Sequence, residues 1–129
     1  MDGAFSPKQT LLLILAPMLA TFGGLRIFLH FVRVQHVYPG GYLVHHLFTG
    51  AVLLIPAAFL LAFGPKSRRS AVLARVAVGI GSAMVLDELV FLVMTKATDA
   101  DYTSPLSLWG GTGFITAGAV LLLAMYRSR

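Results

Sequence analysis

The sequence predicts an all-α protein, a four-transmembrane-helix bundle with both termini cytoplasmic. Three observations lead there. Of 129 residues, 57% are hydrophobic and 12% charged, about half the charged share of a soluble domain. The mean hydropathy is +0.83. Apolar stretches long enough to cross a bilayer, about 20 residues each, recur along the whole chain. They leave room for one integral membrane domain over residues 1–129 and for no separate soluble one.

Each element has its own signal. Ser6-Pro7 places a hydroxyl N-cap before a proline at the first helical position, and the first span is expected over 8–35 with a more polar tail from Leu25 onward. The apolar stretch after Lys8 is too long for a signal-peptide core and lacks a small-x-small cleavage site, so no cleaved leader is expected. Pro39-Gly40-Gly41 forms a turn. The second span is expected over 42–63, with Pro56 as a kink. A basic loop, Gly64-Pro65-Lys66-Ser67-Arg68-Arg69, precedes a third span over 70–95. Residues 96–104 make the longest polar connection, and Pro105 opens a fourth span over 105–126.

Charge sets the orientation. Four spans put the N-terminus, the middle loop and the C-terminus on one side. That side holds Lys8, Lys66, Arg68, Arg69, Arg127 and Arg129, with Arg75 close by. The positive-inside rule makes it cytoplasmic, which gives a multi-pass protein of the cell (inner) membrane. The same placement accounts for the net charge of +5 and argues against nucleic acid as a partner. No cysteine is present, which excludes disulfides, thiolate metal sites, Fe–S clusters and a cysteine nucleophile.

The informative residues are ionisable ones inside the apolar stretches. A charged side chain at membrane depth costs about 2.5–3.5 kcal/mol on insertion scales, so several at one level must meet partners there. Arg26, His30 and Arg33 recur at i, i+4 and i+7 on one helix face. Arg26 is the expected charge partner of Asp87 or Glu88, and its face is suited to an anionic or polar headgroup. Asp87 and Glu88 point about 100° apart, so one should face the bundle centre and the other a flanking helix. Gly79, Ala83 and Asp87 share a face of small residues that another helix can approach closely. His45 and His46 follow the same geometry, one ring inward and one sideways, and all four histidines lie within residues 30–46.

Imidazole and carboxylate on facing helices make a ligand set for Fe, Zn, Mn or Cu, not for Ca or Mg. The candidate metal ligands are His45 or His46 with Asp87 or Glu88, and His30 or His36 as the third ligand. A ferritin-like di-iron centre would need more carboxylates and Glu-x-x-His motifs, and a bis-His haem is poorly supported. Asp87, Glu88 and Tyr102 are the candidates for chemistry, with the 101–110 segment as a lid that brings Tyr102 or Asp101 to the site. The bland alternative for that segment is interfacial aromatics plus capping by Ser104. Glycines 110, 111, 113 and 118 read as close helix packing.

The His45-His46 doublet with Gly50 after it, Gly79-Ile80-Gly81 leading into Asp87-Glu88, and Asp101-Tyr102 together resemble a group of small prokaryotic integral membrane proteins. Those proteins carry a His-x-His-His motif, an Asp-Glu motif and an acidic-aromatic loop. The resemblance covers about residues 36–110 and departs at Leu43, where the pattern has His. It implies the site residues and carries no reaction.

Three functions remain. The first is a membrane metalloprotein acting on a lipid, isoprenoid or quinone-like substrate, with the metal activating water or oxygen. The second is a proton- or ion-coupled carrier using the same residues. The third is a polar network that only fixes helix register. Membrane lipids are the expected surroundings, a lipid or isoprenoid the expected ligand, and homo-oligomerisation through the glycine-rich third and fourth spans is open. Serine hydrolysis, phosphate loops and dinucleotide fingerprints have no motif here.

Overall fold

A computed structural model describes residues 5–32 and 45–128. They form five helices: α1 (Pro7–Phe31), α2 (His46–Phe63), α3 (Arg68–Met94), the single turn α4 (Asp99–Tyr102) and α5 (Pro105–Arg127). The four long ones are apolar enough to cross a membrane, with window hydropathies of 1.7 to 2.1. Length and composition therefore fit a multi-pass membrane protein.

Capping starts the helices where local sequence asks for it. The Ser6 hydroxyl accepts from Gln9 N–H while the Gln9 side chain accepts from Ser6 N–H, a reciprocal box ahead of Pro7. Ser104 accepts from Ser107 N–H ahead of Pro105. The third span begins earlier than 70, because Ser67 and Ser70 cap one another and draw Arg68 and Arg69 into the helix.

Two boundaries differ from the sequence reading in ways that matter. Val32 is extended (φ −111°, ψ 115°), so α1 stops at Phe31 rather than running to residue 35. His45 is also extended (φ −74°, ψ 150°) and is the N-cap of α2, so that helix starts at His46 rather than at 42. The 96–104 connection contains a helical turn, closed by a box between Thr98 and Asp101. Ala97, at φ 57°, reverses the chain into it.

The bundle is organised around α3. It packs against α1, α2 and α5, whereas α2 has no more than marginal contact with α1 or α5 among the described residues. Met18 of α1, Ala83 of α3 and Ile115 of α5 form the buried core, surrounded by Leu15, Phe22, Leu86, Ala119 and Leu122. On the other side of α3, backbones meet directly. A Cβ added to Gly50 would lie 2.6 Å from Met84 Cβ, and one added to Gly81 would lie 2.6 Å from Gly50 O. Gly79 admits α1 in the same way, against Ile14 and Pro17. In lipid, where apolar contact with neighbours gains little over contact with acyl chains, such close approach is a main source of helix association.

Candidate functional site

The ends of α1 and α3, the start of α2, and α4 with the start of α5 converge at the end of the bundle away from Pro7 and Arg127. Asp87 lies at the centre, with none of its surface exposed, and its neighbour Glu88 is 2% exposed. The 100° between successive helix positions turns Asp87 toward α1, α4 and α5 and Glu88 toward the N-terminus of α2, and both carboxylates reach His46 there.

Asp87 uses both oxygens. Oδ1 accepts from Arg26 Nε at 2.6 Å. Oδ2 accepts from the Tyr102 hydroxyl at 2.5 Å and faces His46 Nε2 at 3.2 Å. The Arg26 guanidinium also donates to Tyr102 O at 2.8 Å and to Ser107 O at 3.1 Å and Oγ at 3.2 Å. One arginine on α1 thus ties together α3, α4 and α5. Gly111 makes room for this, since a Cβ there would lie 2.7 Å from Asp87 Oδ1 and 2.9 Å from Arg26 NH2.

Glu88 binds α2. Its Oε2 accepts from Leu47 N–H at 2.7 Å, one of the N–H groups that a helix start leaves without an intrahelical partner. A carboxylate there also sits at the positive end of the helix dipole. Its Oε1 is 3.1 Å from His46 Nδ1 and 3.4 Å from His45 Nδ1. The two rings reach the same oxygen with His45 as the extended N-cap and only His46 helical.

Tyr102 is packed as well as bonded. Its ring meets His46 edge-on at 5.6 Å and Phe91 edge-on at 5.4 Å, and the Arg26 guanidinium lies 4.3 Å from its centroid. Burial, followed by the charge of Asp87, pushes the phenol well above its ordinary pKa, so it acts as a hydrogen-bond donor. Asp101 does not reach the site. It accepts from the Thr98 hydroxyl at 2.7 Å, and that bond, with the Thr98 N–H, holds its carboxyl below the usual range.

Of the sequence-selected residues, the fold therefore brings together Arg26, His45, His46, Asp87, Glu88 and Tyr102. His30 is exposed one turn above Arg26 and makes an edge contact with Phe31. His36, Arg33 and the Pro39-Gly40-Gly41 turn lie outside the described residues. Among the described residues, no three of His, Asp and Glu stand in an arrangement that could hold a metal ion. The sequence reading missed Ser107, which is fully buried against Arg26. Its position three residues after the Ser104 cap was the available signal, and it indicates capping rather than a partner on α1. Comparison with protein-family models, curated proteins and solved structures gives no match to this chain.

Proposed function

We propose that this is a membrane protein whose activity is linked to binding a proton at the His46–carboxylate centre. The observation that carries the proposal is the position of one imidazole between two buried carboxylates, with Nε2 toward Asp87 and Nδ1 toward Glu88. A neutral imidazole has one N–H and one lone pair, whereas the imidazolium has two N–H donors. Only the protonated ring can donate to both carboxylates.

Charge balance supports the same reading. Arg26 offsets one of the two carboxylates, and a second, uncompensated charge at this depth would cost several kcal/mol. A proton on His46 brings the four groups to neutrality. Both histidine side chains keep about a sixth of their surface exposed, 17% and 16%, which leaves a way for the proton to exchange at this end of the bundle. Toward the opposite end the hydroxyls of Ser82, Thr112 and Thr116 have no side-chain partner among the described residues. Thr112 and Thr116 donate to Leu108 O and Thr112 O of their own helix. Proton exchange at one face therefore accounts for the arrangement better than conduction through the bundle.

A second reading has one specific observation in its favour. If Asp87 holds the Nε2–H tautomer of His46, the Nδ1 lone pair points toward Glu88 Oε1, the oxygen His45 also approaches. A carboxylate that accepts from the far nitrogen of a ligating imidazole fixes its tautomer and raises its basicity. Fe, Zn, Mn or Cu would suit two imidazoles and a carboxylate, after a movement of His45.

Nitrogen NMR of histidine-labelled protein in detergent, with His46→Gln to assign the signal, tests both. The proton reading expects the His46 ring to carry two N–H groups. A single neutral tautomer across the accessible pH range would overturn it. Near-stoichiometric metal in purified protein, lost in both His46→Ala and Glu88→Ala, would establish the second reading instead.

A further inference from the structure

Next to this centre a crevice of about 240 Å³ opens between α1 and the start of α5. Ile27, His30, Phe31, Thr103 and Leu108 line it, with Arg26 at its inner end. Ile27, Phe31 and Leu108 are all exposed on the outside of the bundle, so the apolar mouth faces the surface that acyl chains would cover. We infer that this crevice is a binding site for an uncharged, oxygen-headed lipid, with a carbonyl or hydroxyl head against Arg26 and His30 and a chain lying along Ile27 and Phe31.

The head chemistry follows from the donors. The Arg26 side chain is nine-tenths buried, and its NH1 donates one hydrogen to Tyr102 O. Its second NH1 hydrogen has no acceptor among the described residues. Arginine has no acceptor atoms and is itself a cation, so an ammonium head, which brings only donors and a like charge, fits poorly against it. An ionised head fits poorly for a different reason. Arg26, Asp87, Glu88 and His46 sum to zero when His46 carries a proton and to minus one when it does not. A desolvated anion would find the Arg26 N–H and the His30 ring but no net countercharge in this centre, which does not offset the cost of taking it out of water. A neutral carbonyl or hydroxyl oxygen needs only the hydrogen bond.

Size limits the ligand in the same direction. Pockets that enclose a drug-sized ligand run to about 300–1,000 Å³. This one holds a head and the first part of a chain, and the rest of the chain stays in the lipid. The geometry of the crevice does not depend on the proton reading, and the charge argument holds for either state of His46.

The test is photolabelling of the purified protein in detergent with a diazirine-bearing fatty alcohol, fatty acid and alkylammonium of equal chain length, at one fixed pH. The fatty alcohol is expected to label peptides containing residues 27–31 and 103–108, and an unlabelled fatty alcohol should compete. Leu108→Trp, which fills the crevice at a half-exposed position, should abolish that labelling. His30→Leu, at an exposed position, should reduce it about two- to tenfold, one hydrogen bond's worth. Preference for the acid or the ammonium, labelling spread evenly over α1 and α5, or labelling unchanged in Leu108→Trp would each overturn the inference. Specific labelling in a protein whose His46 proves neutral would leave the crevice standing and remove the proton reading.

Discussion

Replacing Arg26 with alanine should be the most damaging single change at the site, and the structure sets its size. The substitution leaves Asp87 charged with no exposed surface, and leaves the carbonyls of Tyr102 and Ser107 without the donor that now serves them. It also removes the cation from over the Tyr102 ring. Breaking a buried ion pair from one side costs about 3–5 kcal/mol, or about two to three and a half powers of ten in the folding equilibrium. Reversible unfolding in mixed micelles, followed by helical circular dichroism, measures it. Asp87→Ala and the double variant complete a mutant cycle. The double variant no longer buries an uncompensated charge, so it should be hardly less stable than Arg26→Ala, with a coupling toward the upper end of the 0.5–3 kcal/mol seen for contacting residues. Single losses that add to within about 0.5 kcal/mol, or an Arg26→Ala loss below about 1 kcal/mol, the level of an exposed pair, would refute the view that this pair holds the end of the bundle together.

Tyr102→Phe should lose about 1.5–3 kcal/mol, the worth of a hydrogen bond to a charged group, in the same unfolding assay. The phenol has its pKa raised in the fold, so its contribution is complete below the unfolded value of about 10 and falls as pH rises above it. The wild type should therefore lose about 1.4 kcal/mol per pH unit more than Tyr102→Phe above pH 10, and parallel profiles would contradict the assignment. Gly81→Ala forces a methyl group against Gly50 O and Leu54 and should cost about 1–3 kcal/mol. Gly23→Ala, with nothing within 4 Å, should be neutral or stabilise by up to about 1 kcal/mol, so equal effects at the two positions would be evidence against the α2–α3 crossing. Glu88→Gln keeps an acceptor for Leu47 N–H but removes the charge facing the His45 and His46 rings. Hydrogen exchange at the first turn of α2 should then rise while that of α5 stays unchanged, and no local change would mean that Glu88 does not anchor α2.

By itself, the sequence determined that the chain is four apolar helices and where their polar exceptions fall. Spanning length, the Ser6-Pro7 and Ser104-Pro105 starts and the cost of charge at membrane depth are all local or compositional, so they can be read residue by residue. The small face of Gly79, Ala83 and Asp87 was legible for the same reason, because helical periodicity alone puts those residues together. Choosing between Asp87 and Glu88 as the partner of Arg26 required the rotation of α3 against its neighbours, which depends on how Met18, Ala83 and Ile115 pack. Both histidines face one glutamate with α2 starting at His46, a boundary at which Glu88, forty-one residues away, accepts from Leu47 N–H. Ser107 and Gly111 join the site only because α5 comes close enough to touch the ion pair. Those decisions belong to tertiary structure because partner choice, helix start and close approach are set by groups distant in the chain.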